Sequence, residues 1–424
     1  MDAPNLSRPV RSTPFCCRFC GTRLRFELIN LGAAPPSNAY LEEAALSESE
    51  VYYPLRVLIC DECWLAQTAD IVGHEELFSK DYAYFSSCSA SWVEHARLYV
   101  ESAVDRFKLG PQSLVVEIAA NDGYLLQHFQ PKKIPCYGVE PTASTAAGAR
   151  ERGLTIYPDF FSRAVARRLL RERGPVDLMI GNNVLAHVPD INDFIEGFAE
   201  LLKPDGVVTF EFPSLQKLIE SDYFDSIYHE HFSYLSLTAL LNIFPPHGLD
   251  IFDVDEIPTH GGSLRVYAQR IDSRTRKTEP SVEALRKSEE AAGLKTVAFY
   301  QTAQVRADII KYDLLEFLIK CKRERKTVVG YGAAAKGNTL FNYAGIKSDL
   351  LPCVYDASPM KKGKYLPGSR IPILSAPEFK DITPDYVLVP PWNLLKEIVS
   401  SYPHIEAAGG TWVTAVPRLT IHRS

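Results

Sequence analysis

The 424-residue chain has no apolar run near the roughly 18 residues that a membrane helix needs, and its opening MDAPNLSRPVRSTPF holds no apolar stretch of a secretion signal. A cytoplasmic protein without a membrane partner is expected. The chain also lacks a basic excess: 46 Lys and Arg stand against 52 Asp and Glu, a net charge of −6. That excludes the broad cationic footprint nucleic acids require, and small-molecule substrates are expected instead. No repeat of fixed period and no low-complexity segment occurs, which excludes a solenoid. Histidine is scarce, with ten in all, so its clustering is informative. The nine cysteines are odd in number and unevenly placed, unlike a disulfide framework.

What is present is an ordinary globular composition, 46% hydrophobic and 23% charged, long enough for two or three domains. Up to about residue 75 the chain is rich in Cys and Pro, with short β-like pieces in LRFELINLG and YPLRVLICDECWLAQ. From 114 to 269 β-like and helical stretches alternate: SLVVEIAA, CYGVE, LTIYP, VDLMIGNN, DGVVTFEF, LDIFDVDE and SLRVYAQR. That alternation predicts an α/β fold, a doubly wound parallel sheet whose last two strands form an antiparallel edge pair. A charged helical stretch over 275–325 reads as a connector, and a second, smaller α/β unit follows.

Cys17 with Cys20 and Cys60 with Cys63 form two C-x-x-C pairs. Each lets a tight knuckle aim two thiolates at one point, and two knuckles complete a tetrahedral structural Zn(II) with no open position. Their separation exceeds the ~15–20 residues of a compact ribbon, so an inserted loop is expected. Cys16 competes with Cys17 as a ligand, although Cys17 has the better spacing.

VVEIAANDGYLL, 115–126, reads as strand, tight turn and helix, which places its loop at the carboxyl end of the sheet. Only Gly123 is present in that turn, so the close-approach glycines a pyrophosphate needs are missing and NAD is disfavoured. An adenosine ligand without phosphate fits better, S-adenosylmethionine being the common one, and Glu140 in CYGVEP can accept the ribose hydroxyls. The candidate cofactor residues are Glu117, Ala119, Asn121, Gly123, Tyr124, Leu125, Glu140, Pro141, Asn182 and Asn183. The last two, with His187, lie in GNNVLAHVPD at the same rim.

YHEHFSYLS, 228–236, admits three readings from its residue types: a metal site, an acid/base centre or a buried polar strand. Extended, it would put His229 and His231 on one face and Glu230 on the other, and a metal would still need a third ligand. A neutral imidazole is suited to accepting a proton at working pH. In TVVGYGAAAKGNTLFNY, Gly330, Gly332 and Gly337 follow a strand and open a helix. A phosphate-bearing ligand is expected there, with Gly332, Lys336 and Asn338 as candidate contacts and Asp356 in the position of a ribose-binding acid.

Taken in order, the paired knuckles, EIAANDGYLL, NNVLAHVPD, YHEHFSYLS, HGGSLRVY and GYGAAAKGNTL resemble the S-adenosylmethionine-dependent sugar C-methyltransferases of deoxysugar pathways, over nearly the whole chain. The resemblance implies three parts: a zinc-binding domain over 1–78, a class I methyltransferase domain over 79–275 and a Rossmann-like domain holding the nucleotide sugar over 276–424. It implies His231 as general base, forming the enolate of a nucleotide-linked 4-keto-6-deoxy sugar, with Tyr228 and Glu230 close by. Asn183 and His187 fall near the transferring carbon, and Tyr82 in DYAYFSS, or Tyr84, is a further active-site tyrosine. Tyr82 and Tyr228 are also candidate substrate contacts. Methylation at C3 of a thymidine-diphosphate sugar is expected, by a chain that can act as a monomer. The rival function is an NAD-dependent nucleotide-sugar oxidoreductase or epimerase using GYGAAAKG, which leaves the central domain without a role.

Overall fold

The computed structural model describes residues 15–69 and 85–422. The first sheet starts from β1 (Phe26–Ala34), which pairs antiparallel with β2 (Tyr53–Ile59), and β2 with β3 (Ala66–Thr68). The loop between β1 and β2 is the insertion expected between the two knuckles, and it reaches the far end of the chain. Leu41 bridges to Tyr365, and the Glu50 carboxylate pairs with Arg370 at 2.8 Å.

The central sheet holds β4 (Val115–Ile118), β5 (Cys136–Val139), β6 (Ile156–Tyr157), β7 (Val176–Asn182) and β8 (Leu202–Pro213). β9 (Ser233–Tyr234) follows, then β10 (Leu249–Ile257) and β11 (Ser263–Arg270). The order is β10-β11-β8-β7-β4-β5-β6, parallel except that β11 lies antiparallel between β8 and β10. The expected sheet and its antiparallel pair are both present. β4 is buried at all four positions because helices cover both faces of the sheet. Val116, Met179 and Val208 face a core with Leu169, Ile195 and Phe198, while Val115, Leu178 and Val207 face one with Tyr99 and Phe129. Successive side chains thus serve opposite layers, and the carboxyl ends of β4, β5 and β7 share one rim.

β9 does not join the central sheet. It pairs antiparallel with β3 and completes the first sheet as β1-β2-β3-β9, so YHEHFSYLS is tied to the cysteine-bearing unit. The last sheet contains β12 (Val328–Tyr331), β13 (Val354–Asp356), β14 (Ile373–Ser375), β15 (Tyr386–Leu388), β16 (Thr411–Thr414) and β17 (Thr420–His422). Its order is β14-β13-β12-β15-β16-β17, parallel but for β17.

The stretch over 275–325 is core as well as connector. The helix Ala303–Arg323 buries Ile310, Leu314 and Leu318 in a cluster that also takes Leu28, Leu55 and Val57 from the first sheet and Leu340 and Phe341 from the last unit. Each such buried aliphatic side chain contributes about 2 kcal/mol. In the helix Pro280–Ala292, buried Glu289 accepts the Leu237 and Thr238 amides at 2.9 and 2.7 Å, capping the helix Leu237–Ile243 with negative charge. Among the described residues no helix is long and apolar enough to cross a membrane.

Candidate active site and metal centre

The two knuckles meet. Cys17, Cys20, Cys60 and Cys63 place all four sulfurs within 4.8 Å of one another, with Cys17 to Cys63 and Cys20 to Cys60 both 3.5 Å. A tetrahedral Zn(II) with Zn–S of ~2.3 Å sets its sulfurs about 3.8 Å apart, so the four residues fit that ion. Each knuckle closes through a residue in the left-handed region, Gly21 at φ 75° and Trp64 at φ 63°. The hydrogen bond from Cys63 holds the Cys17 thiol down and pushes the Cys63 thiol up, because thiolates this crowded cannot coexist without a cation. Cys16 is exposed and lies outside the cluster.

At the rim of the central sheet the turn after β4 is tight enough to need three left-handed residues, Ala119 (φ 58°), Asn121 (φ 48°) and Gly123 (φ 77°). Gly123 is fixed by packing: a Cβ there would lie 2.3 Å from Leu154 Cδ1. The Leu125 side chain is in the core, and Tyr124 stacks on Trp92 with 6.4 Å between ring centres. Glu140 accepts the Asn121 and Thr142 amides, both at 2.9 Å, and so organises the turn; Pro141 follows it. Glu117 is buried, and burial, followed by the charges of Glu140 and Asp122, drives its carboxyl well above the usual range. Glu117 Oε2, Asn182 Oδ1 and Asn183 Nδ2 are buried without a hydrogen-bond partner among the described residues. Buried orphans of this kind along one rim are what a polar ligand would satisfy.

The YHEH segment is a turn, closed by the His231 amide on the Tyr228 carbonyl at 2.9 Å, so the expected shared face of His229 and His231 does not form. His229 Nε2 lies 3.1 Å from the Tyr53 carbonyl in the first unit, whereas His231 Nδ1 lies 2.9 Å from the Ser226 carbonyl. A carbonyl only accepts, so His231 carries its proton on Nδ1 and its lone pair on Nε2. The rings of Tyr228 and His187 stand 3.9 and 4.7 Å from that of His231. His187 is oriented by the Glu230 main-chain carbonyl, 2.8 Å from its Nδ1. The Glu230 carboxyl turns away from His231 and accepts the Asn38 amide and side chain at 3.2 and 3.1 Å. Burial lowers the His187 imidazole to about 4. Burial, then the charges of His187, His260 and Lys336, hold His231 well below the usual histidine range.

The glycine loop after β12 packs closely against other parts of the chain. Cβ atoms at Gly332 and Gly337 would meet Pro391 Cγ at 2.4 Å and Pro390 Cβ at 2.9 Å, and one at Gly330 would meet Val354 Cγ2 at 2.7 Å. The close approach at Gly332 and Gly337 is made by the chain's own VPPW segment, and that at Gly330 by Val354 of β13. Asp356 accepts the Ala333 amide at 2.7 Å and pairs with Lys361 at 3.6 Å, so it organises this loop as Glu140 organises the turn after β4. Asn338 is buried and donates to the Ser37 carbonyl at 2.6 Å. Lys336 Nζ is 4.3 Å from the Trp392 ring centre and 3.4 Å from Asn393 Oδ1, and Thr339 donates to the Ile227 carbonyl of the central unit at 2.8 Å. Trp392 in turn stacks on Tyr223 at 4.1 Å and donates to buried Asp225 at 2.8 Å, whose carboxyl burial raises to about 6.

Sequence reasoning missed a second buried cluster. Glu211, at the carboxyl end of β8, accepts from Arg265 at 2.6 Å, His95 at 2.9 Å and Thr259 at 3.3 Å. Its main-chain carbonyl accepts the amide of Asn183, which is itself left-handed at φ 51°. The only sequence signal was register: Arg265 sits directly opposite Glu211 across the β8–β11 ladder. Tyr82 and Tyr84 lie outside the described residues.

Family models match three consecutive parts of the chain: a zinc-binding domain over 17–78, a methyltransferase domain over 92–254 and a C-methyltransferase C-terminal domain over 258–417. The C-methyltransferase NovU of Streptomyces niveus is 32% identical over 401 residues, 95% of each chain. Among solved structures, magnesium protoporphyrin IX methyltransferase of Synechocystis PCC 6803 is 17% identical over 42% of this chain and 81% of its own, with a TM-score of 0.32. An S-adenosylmethionine-dependent methyltransferase of Archaeoglobus fulgidus is 12% identical over 42% and 94%, with a TM-score of 0.35.

Proposed function

The chain belongs to the family of S-adenosylmethionine-dependent C-methyltransferases with an N-terminal zinc-binding domain, and we propose that it methylates C3 of a nucleotide-linked 4-keto-6-deoxy sugar with His231 as general base. The observation that carries this reading is the 2.9 Å contact between His231 Nδ1 and the Ser226 carbonyl, which sets the tautomer. With Nδ1–H held by the Ser226 carbonyl, Nε2 carries the lone pair of a ring that packs against Tyr228 and His187. A carbon alpha to a ketone becomes nucleophilic when it loses its proton, and Nε2 is the acceptor for that proton.

Bound S-adenosylmethionine supplies the electrophilic methyl group. Glu117, Glu140 and the unpartnered side-chain amide atoms of Asn182 and Asn183 would hold it, as hydrogen-bond partners along the rim. Asn183 and Tyr228 would supply the donors around the enolate oxygen, where preorganised donors stabilise developing charge, while neutral His187, its Nδ1–H held by the Glu230 carbonyl, would only wall the site. Lys336 and Trp392 would receive the nucleotide part, one as a cation for phosphate and the other as an aromatic face. In this division the parts 1–78, 79–275 and 276–424 act respectively as zinc unit, methyl-transfer unit and nucleotide-sugar unit of a monomer. Packing of Pro390 and Pro391 against Gly337 and Gly332 counts against the NAD-dependent reading.

Incubation of a 4-keto-6-deoxy nucleotide sugar with methyl-labelled S-adenosylmethionine, followed by mass spectrometry, tests the reading. Label on the sugar's carbon skeleton is expected. Binding of the nucleotide sugar without transfer would overturn it.

A further inference from the structure

Between the two zinc-ligating cysteines of the first knuckle stands Arg18, and its side chain leaves the metal centre altogether. Its backbone amide donates to Gln67 Oε1 at 2.9 Å, and Gln67 Nε2 donates back to Cys17 Sγ at 3.2 Å, which locks the knuckle onto β3. Its guanidinium reaches across the β3–β9 ladder: Nη1 donates to the Phe232 carbonyl, and Nη2 to the Thr68 carbonyl and hydroxyl at 2.7 and 3.1 Å. Among the described residues half-buried Arg18 has no carboxylate partner; two main-chain carbonyls, the Thr68 hydroxyl and the Phe232 ring hold its cation.

The carbonyl it grips belongs to Phe232, the residue after His231. The Phe232 carbonyl also accepts the Thr68 amide at 3.1 Å, and the Phe232 amide donates to the Ala186 carbonyl at 2.8 Å, next to His187. Phe232 is fully buried. The position of His231 is therefore set from two directions, by Ser226 through its ring and by the knuckle through the carbonyl of the next residue, Phe232.

We propose that Arg18 is a positioning residue that links the zinc knuckle to the general base, so that the metal-organised knuckle holds His231 in the orientation proton removal needs. The inference rests on the role given to His231 above. An arginine suits the task and a lysine does not, because the planar fork reaches Phe232 and Thr68 together.

The test uses the full-length zinc-loaded protein with Arg18→Met and Arg18→Lys, alongside His231→Asn. Both Arg18 variants are expected to retain zinc stoichiometry and S-adenosylmethionine affinity and to keep KM within about 3-fold, while kcat falls roughly 10- to 100-fold with only partial recovery in Arg18→Lys. Added guanidinium is expected to restore part of the rate of Arg18→Ala. Turnover within about 3-fold of wild type in Arg18→Met, or a kcat that falls only in proportion to lost zinc, would overturn the link. Loss of rate in His231→Asn but not in Arg18→Met removes Arg18 alone, whereas an active His231→Asn removes the base itself. A measurement on the unmutated protein guards against variants that fail to fold. Hydrogen exchange over 228–236 is expected to rise on chelation of zinc while β10 and β11 stay protected, and unchanged exchange over that segment refutes the proposal.

Discussion

Replacing Glu211 by Gln removes one negative charge from a side chain with no solvent exposure, opposite an Arg265 side chain that is 9% exposed. Burial alone pushes the Glu211 carboxyl up, but the hydrogen bond from His95 and the charge of Arg265 outweigh it and hold the group below the usual range. The substitution strands a buried guanidinium, and breaking a buried pair from one side costs about 3–5 kcal/mol. At about 2–4 °C per kcal/mol for a unit of this size, the unfolding midpoint of the central unit falls by roughly 10 °C. Removing both partners, as in Glu211→Leu with Arg265→Met, leaves no orphan charge and recovers most of that loss. Urea titrations and thermal scans of the two single variants and the double variant measure the coupling. Because the Glu211 carboxyl is depressed on folding, its contribution is full above the unfolded carboxylate range of ~4.5 and disappears as pH falls through the lower folded value. A Glu211→Gln protein within about 0.5 kcal/mol of wild type, or a double variant no more stable than Glu211→Leu, would refute the reasoning.

Burial holds His187 and His260 down to about 4, and His231 lower than its ordinary value, so all three are neutral in the folded protein at pH 7. Below ~6.5 the unfolded chain gains protons that the folded one refuses, and stability falls by about 1.4 kcal/mol per pH unit for each group. Compared with wild type, urea titrations of His260→Asn between pH 6.5 and 5 should show the acid-side loss of stability lessened by about 1.4 kcal/mol per pH unit; an unchanged slope would contradict it. Gly332→Ala places a Cβ 2.4 Å from Pro391 Cγ at φ 99°, so it should destabilise the C-terminal unit by about 2 kcal/mol or more. Were the loop a phosphate cradle, the same change would instead raise KM for the nucleotide sugar and leave the melting curve alone.

The sheets were legible because their strands are spelled in runs such as VVEI and DLMI, whose burial on both faces leaves little choice of element. β14 and β17, three residues each, carry too little pattern to be read, and β9 is only two. The metal centre was legible because C-x-x-C spacing is local. At the glycine loop spacing reports where a backbone needs close approach and says nothing of which partner approaches, here Pro390 and Pro391 at Gly337 and Gly332. Asp225, Trp392, Asn38 and Glu211 were unreadable because each acquires its role only from a partner far along the chain. The turn at 228–231 defeated the strand reading of YHEH, since its geometry depends on Ser226 and on the pairing of β9 with β3.

Hydrogen–deuterium exchange at the carbon alpha to the ketone isolates the step assigned to His231. A 4-keto-6-deoxy nucleotide sugar would be incubated in D2O with S-adenosylhomocysteine and either the wild-type protein or His231→Asn, and C3 followed by mass spectrometry and NMR above the uncatalysed rate. Wild type is expected to incorporate deuterium at C3, and His231→Asn to do so at least about 10²-fold more slowly with S-adenosylmethionine affinity unchanged. Equal exchange rates in the two proteins would contradict the assignment of His231 as the base.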